Sequence, residues 1–102
     1  MSNDFCQAMF DSCVHSEFQI IENEAPVCTL ELTDILARTK TPGQEAFSLM
    51  FQGPAEPFVP QGVRRLKHGT LGELDLFLVP VGKENDGFQY EAVFNLLLQP
   101  RE

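Results

Sequence analysis

Period two is the feature that most constrains this chain. Apolar and polar residues alternate in several short segments, and no long stretch has the 3.6-residue period of an amphipathic helix. Successive side chains of an extended strand point to opposite faces, so such alternation marks half-buried strands. Val14, Ser16, Phe18 and Ile20 alternate with His15, Glu17 and Gln19. After the turn "ENEAP", Cys28, Leu30 and Leu32 alternate with Thr29, Glu31 and Thr33, in a strand running to about Leu36. "RTKTPGQ" (38–44) is expected to be a loop because of its Pro-Gly pair. A third strand points Phe47, Leu49 and Phe51 inward and Ser48, Met50 and Gln52 outward. The fourth covers Gly62 to about Lys67 and the fifth Glu73 to Val81. "GKENDG" then closes a hairpin onto a sixth, with Phe88, Tyr90, Ala92, Phe94 and Leu96 on one face and Gln89, Glu91 and Asn95 on the other.

Six short strands with turn signals between them predict an all-β fold: a compact antiparallel barrel or two-layer sandwich. Residues Ser2 to Phe10 add a short N-terminal helical segment. A chain of 102 residues makes one domain, spanning 1–102, with one small core.

Between the third and fourth strands, Pro54, Pro57 and Pro60 recur at every third residue. Proline cannot donate to a sheet ladder, so this piece is read as a stiff crossover leaving at Gly53 and returning at Gly62. Its polyproline spacing also fits an aromatic groove of the SH3 type, a weaker reading because Phe58 and Val59 are expected to tuck it onto the core.

The formal charge is −8, with fifteen acids spread along the chain. Such a surface repels phosphates and anionic lipid heads, so neither nucleic acid nor membrane is an expected partner. Cys6, Cys13 and Cys28 are an odd number of thiols, and the start "MSNDFCQAMF" lacks a signal-peptide pattern; reduced thiols and a cytoplasmic location are expected.

Little in the sequence points to chemistry. Cys13 and His15, with Cys6, Cys28 or His68, lack the paired spacing of a zinc site, so no metal and no cofactor is expected. Cys13 with His68 or His15 makes a weak thiol dyad with no orienting third group. Glu73 and Asp75 share a strand face, where alternating acids are ordinarily just solvated. The apolar run from Phe77 to Val81 is more informative. Phe77, Val79 and Val81 lie opposite Leu74, Leu76 and Leu78, so that strand is apolar on both faces. One face needs cover, from the N-terminal helix or from a partner.

"FSLMFQGP", "QGVRRLKH", "LGELDLFLVPVG" and "YEAVFN" occur in that order from Phe47 to Asn95. This combination resembles a family of small bacterial all-β domains of unknown function, with the motifs F-S-L-x-F-x-G-P, Q-G-x-Y-x-L-x-H, L-G-x-L-x-L-F-L-V-P-V-G and Y-E-A-V-F-N. The fit is weaker at Phe5 and from Phe18 to Leu32. The resemblance implies an all-β fold, no activity, and an association with phage-tail-like or fibre-type assemblies. Arg64 departs from it, standing where the family has an aromatic residue. An inward Arg64 needs an acidic partner or must reach the rim.

Together these readings favour a non-enzymatic structural or protein-interaction module, accessory to a tail-like or fibre assembly, that binds a protein partner or a second copy. The candidate interaction surface comprises Phe77, Val79, Val81 and Leu97, with a polar patch of Gln61, His68, Tyr90, Glu91 and Asn95 if the fourth and sixth strands pair. The alternative is a small-ligand-binding β-barrel or a minor hydrolase, which requires a cavity lined by several polar groups.

Overall fold

A computed structural model describes residues 7–41, 44–84 and 87–97. It is a closed antiparallel barrel of six strands with a single short helix among the described residues. The elements are α1 (Gln7–Asp11), β1 (Glu17–Glu22), β2 (Ala25–Thr41), β3 (Gln44–Pro54), β4 (Gly62–His68), β5 (Gly72–Glu84) and β6 (Gly87–Leu97). Around the barrel the order is β1-β2-β3-β6-β5-β4, and β4 returns to pair with β1. Closure answers the choice between barrel and sandwich.

Two long strands make closure possible. The first part of β2 pairs with β1, from Ala25 to Glu31, and its second part pairs with β3, from Glu31 to Thr41. In the same way β5 pairs with β4 from Gly72 to Leu78 and with β6 from Val79 to Glu84. Register shifts interrupt the ladders beside Val27, Thr33, Arg38 and Val81. An extra residue on one strand bends it and increases its twist, which lets one strand serve two neighbours.

The alternation expected from sequence fills the interior. Phe18, Ile20, Leu30, Leu32, Phe47, Leu49, Phe51, Leu66, Leu78 and Tyr90 are fully buried. Phe18 meets Phe51 edge-on at 5.3 Å, and Phe47 stacks on Phe94 at 4.8 Å. Such pairs add about 0.5–1.5 kcal/mol each beyond burial.

Each end of the barrel is closed. At one end α1 inserts Phe10, whose ring lies 5.7 Å from Phe94 and 6.2 Å from Phe47. The helix therefore packs inside and does not cover the outer face of β5. It is described over Gln7–Asp11, and residues 1–6, which hold most of the expected segment, lie outside the described ones. At the other end the proline crossover folds over the mouth. Val59 is buried, and its N–H donates to the Tyr90 hydroxyl at 3.0 Å. Phe58 rests its ring on Phe88 at 4.9 Å but stays half-exposed.

Several boundaries differ from expectation. Val14 and His15 belong to a turn, with His15 at φ 72°, and β1 begins only at Glu17. The expected loop at 38–44 is mostly strand: Thr39, Lys40 and Thr41 pair with Ala46, Glu45 and Gln44, and residues 42–43 lie outside the described ones. Ser48 stands opposite the core face, as alternation requires, yet is fully buried, because the row Leu36–Ser48–Val93 places it between two larger apolar neighbours. Gly87 is a close approach, since a Cβ there would collide with the Gly53 carbonyl oxygen on the paired strand.

The β1–β2 turn is tight. Glu22 pairs with Ala25, leaving only Asn23 and Glu24 between the strands, at φ 53° and 64°. Two positive φ angles define the hairpin turn that Asn-Gly fits best, because its twist matches the strands. Asn23 suits its place, whereas Glu24 carries a Cβ penalty. Replacing Glu24 by Gly is expected to raise stability by up to about 1 kcal/mol, read as a higher urea midpoint. A lower midpoint would count against this turn geometry.

Candidate functional site

The residues expected to form one surface separate into three settings. β5 lies between β4 and β6, so the polar patch does not assemble. Tyr90 is fully buried and latched to the crossover. His68 is buried as well, at 7% exposure. Gln61 is exposed at the end of the crossover, and Glu91 is half-exposed on β6. The side chains of Asn95 and Leu97 are outside the described ones; their backbones pair with Ala46 and Gln44.

His68 sits at the α1 end of the barrel, its ring 4.4 Å from Phe18. Nδ1 accepts the N–H groups of Thr70 at 3.0 Å and Leu71 at 3.1 Å. A nitrogen accepting two N–H groups carries no hydrogen, so the proton resides on Nε2. Nε2–H then donates to Ser16 Oγ at 2.8 Å, and Ser16 donates onward to the Cys13 carbonyl. This Ser-His pair was not foreseen from sequence, which looked for a thiol partner. Its polarity opposes catalysis: a general base must turn a lone pair toward the hydroxyl, and here the imidazole turns a hydrogen toward it. The chain of bonds ties the β4–β5 turn to the turn after α1. Cys13 is buried, and its Sγ contacts the Met9 carbonyl at 3.7 Å.

Arg64 reaches the opposite rim. Its Nη2 donates to the Pro60 carbonyl at 2.7 Å, and its Nη1 meets Glu22 at 3.4 Å. Arg64 is thus accommodated both by an acid and by rim access. Its Nε remains buried with no partner among the described residues, a local cost on the order of 1–3 kcal/mol.

The outer faces of β1, β4 and β5 form an open groove of about 950 Å³. The cross-strand rows are Gln19–Lys67–Glu73 and Ile21–Arg65–Asp75, with Val63–Phe77 below them. Arg65 grips Asp75 with two bonds, at 3.0 and 3.3 Å, and lies 3.7 Å from Glu73. The hydrogen bond from Arg65 holds Asp75 below its ordinary value of 3.8. Glu73 and Asp75 are thus engaged with a cation, and nothing arranges them as an acid–base pair. Beside this network Val63 is 66% exposed and Phe77 49%. Val79 is half-buried, and Val81, at the bulge, is exposed.

A second groove of about 510 Å³ lies where β2 parts from β3, bordered by Glu17, Glu31, Glu56 and Cys28. Burial, with a smaller effect from Glu22, pushes the Cys28 thiol up, away from the reactive thiolate. His15 is exposed and pairs with Glu31 at 3.2 Å. Among the described residues no three His, Cys, Asp or Glu side chains come together as a metal site, and no helix is long and apolar enough to cross a membrane.

Two measurements check these assignments. Replacing His68 by Ala strands the Thr70 and Leu71 N–H groups and opens a cavity, so a loss of about 2–4 kcal/mol is expected in urea unfolding. Nitrogen-15 spectra of the parent should show Nδ1 as the bare nitrogen; a hydrogen on Nδ1 would refute the bonding chain. For Asp75 the folded value is depressed, so its pair with Arg65 contributes above the unfolded value of 3.8 and is lost as pH falls through the lower folded value. Asp75→Asn should therefore be less stable than the parent near neutral pH, with the difference vanishing in acid.

None of the curated proteins and none of the solved structures matches the chain. A family model does: residues 5–94 match the domain of unknown function DUF6916, and the chain belongs to that family.

Proposed function

We propose that this domain is a non-enzymatic interaction module that docks a protein partner on the outer face of β4 and β5, as an accessory to a fibre-type or tail-like assembly. The observation carrying this reading is the cross-strand pair Val63–Phe77, two large apolar side chains exposed side by side on a strand face that otherwise carries charge. Burying each in a contact is worth roughly 1.5–3 kcal/mol. The fixed Arg65–Asp75 pair and Lys67 beside them supply a polar rim of the kind that sets register in interfaces.

The barrel axis favours this reading over an internal ligand site. Phe10, Phe18, Phe51, Tyr90 and their neighbours fill it, and both grooves described above open on the outside. The bound-up tautomer of His68 argues in the same direction against a hydrolase. The fibre-type setting rests on the motif resemblance of the segment from Phe47 to Asn95.

The test places a photoreactive phenylalanine analogue at position 77 in the native host, with a control at position 31 on the far side. One recurrent protein adduct at position 77, absent at position 31 and lost on adding Val63→Lys, is the expected result. Equal labelling at both positions, or none at 77, would overturn the proposal.

A further inference from the structure

Residues 69–71 turn the chain from β4 into β5, and a side chain closes this turn. The Thr70 and Leu71 N–H groups both go to Nδ1 of His68, at 3.0 and 3.1 Å, and to no other acceptor among the described residues. A turn is ordinarily closed by a main-chain carbonyl, which accepts at any pH. An imidazole nitrogen accepts only while the ring is neutral.

We infer that the β4–β5 turn is an acid-released latch: a second proton on His68 frees residues 69–71 while the rest of the barrel stays closed. The proton comes from solvent and converts the Nδ1 lone pair into an N–H bond. That new hydrogen faces two donors. Rotating the ring restores nothing, because both nitrogens of an imidazolium are donors. The other half of the bonding chain survives the change. Nε2–H still donates to Ser16 Oγ, and Ser16 still donates to the Cys13 carbonyl. The latch is therefore whole above the imidazole's titration, and only its turn side is lost as pH falls through it.

The surroundings do not hold the charged ring in place. His68 is 7% exposed, and no carboxylate bonds it among the described residues. A buried cation without such a partner is costly, so opening toward water is the available relief. The charged and titratable groups on the elements packed around it face elsewhere. Asp11 on α1 is exposed, and Glu17 on β1 is exposed opposite Glu31 of β2. Lys67 of β4 and Glu73 of β5 line the outer groove, with Glu73 3.7 Å from Arg65. His15 pairs with Glu31 at the surface, and the Cys13 thiol contacts the Met9 carbonyl. The Phe18 ring, 4.4 Å from the imidazole, favours a cation, but it gives Thr70 and Leu71 no acceptor. This inference stands at the α1 end of the barrel and does not depend on the Val63–Phe77 face.

The experiment is nuclear magnetic resonance of the full chain from about pH 8 to about pH 5, above the range where most carboxylates titrate. It follows the His68 ring nitrogens together with amide exchange, read as protection factors. The expected result is that Thr70 and Leu71 lose their protection as Nδ1 gains its hydrogen, while Ser16 and the β3–β6 ladder keep theirs. In His68→Asn, whose side-chain oxygen accepts at any pH, the loss should disappear. Unchanged protection of Thr70 and Leu71 through the ring's titration overturns the inference. So does a loss that comes only with unfolding of the whole barrel, or one that persists in His68→Asn. Should His68→Asn fail to fold, His15→Ala decides, because the chain has only two histidines. A response that survives in His15→Ala belongs to His68, and one that vanishes there overturns the inference.

Discussion

Everything in this molecule follows from the obligation to pair backbone N–H and C=O groups with few residues. Six strands of uniform length would close a narrow barrel or leave a flat sheet with two exposed edges. The chain instead uses two long strands, β2 and β5, each of which serves one neighbour with its first part and another with its second. The bulges at Thr33 and Val81 fall on these two strands, each just past the residue where the strand changes partner.

At the ends of the barrel polar groups add to the hydrophobic packing of Phe10 and Val59. At the α1 end the His68–Ser16–Cys13 chain of hydrogen bonds joins two turns distant in sequence. At the other end Tyr90 and Arg64 both bind the crossover, one at the Val59 N–H and one at the Pro60 carbonyl. Each group bonds main-chain donors or acceptors that leave the ladders, and the Val59 N–H would otherwise be buried without a partner. Two of the residues that looked functional in the sequence, His68 and Tyr90, are thus occupied in structural bonds.

Alternation made the inner face legible. Phe18 and Ile20, Leu30 and Leu32, Phe47, Leu49 and Phe51, and Tyr90, Ala92 and Phe94 all face inward as their spacing requires. Strand neighbours were not legible, because a period of two says which face a residue takes and nothing about which strand lies beside it. That is why Gln61, His68, Tyr90, Glu91 and Asn95 appeared to belong together, although β5 runs between their strands. The Pro42–Gly43 pair misled by marking a loop where the strands run to within two residues of each other. Ser16 was read as one more inward residue, and its partner His68 is set by the β1–β4 ladder, which no local pattern reveals. Phe77 was visible as an apolar residue on the wrong face, and its neighbour Val63 emerged only with the β4–β5 register.

The seam between β1 and β4 has a kinetic consequence. It holds only three residue pairs, Gln19–Lys67, Ile20–Leu66 and Ile21–Arg65, while the ladder between β3 and β6 holds eleven. Its partners are separated by two hairpins and the proline crossover, so the chain must organise most of itself before they meet. Loop-closure entropy of that kind slows folding in proteins dominated by non-local pairing. The barrel is therefore expected to zip shut along this seam late in folding, and in the native state the same three pairs are where opening is expected first.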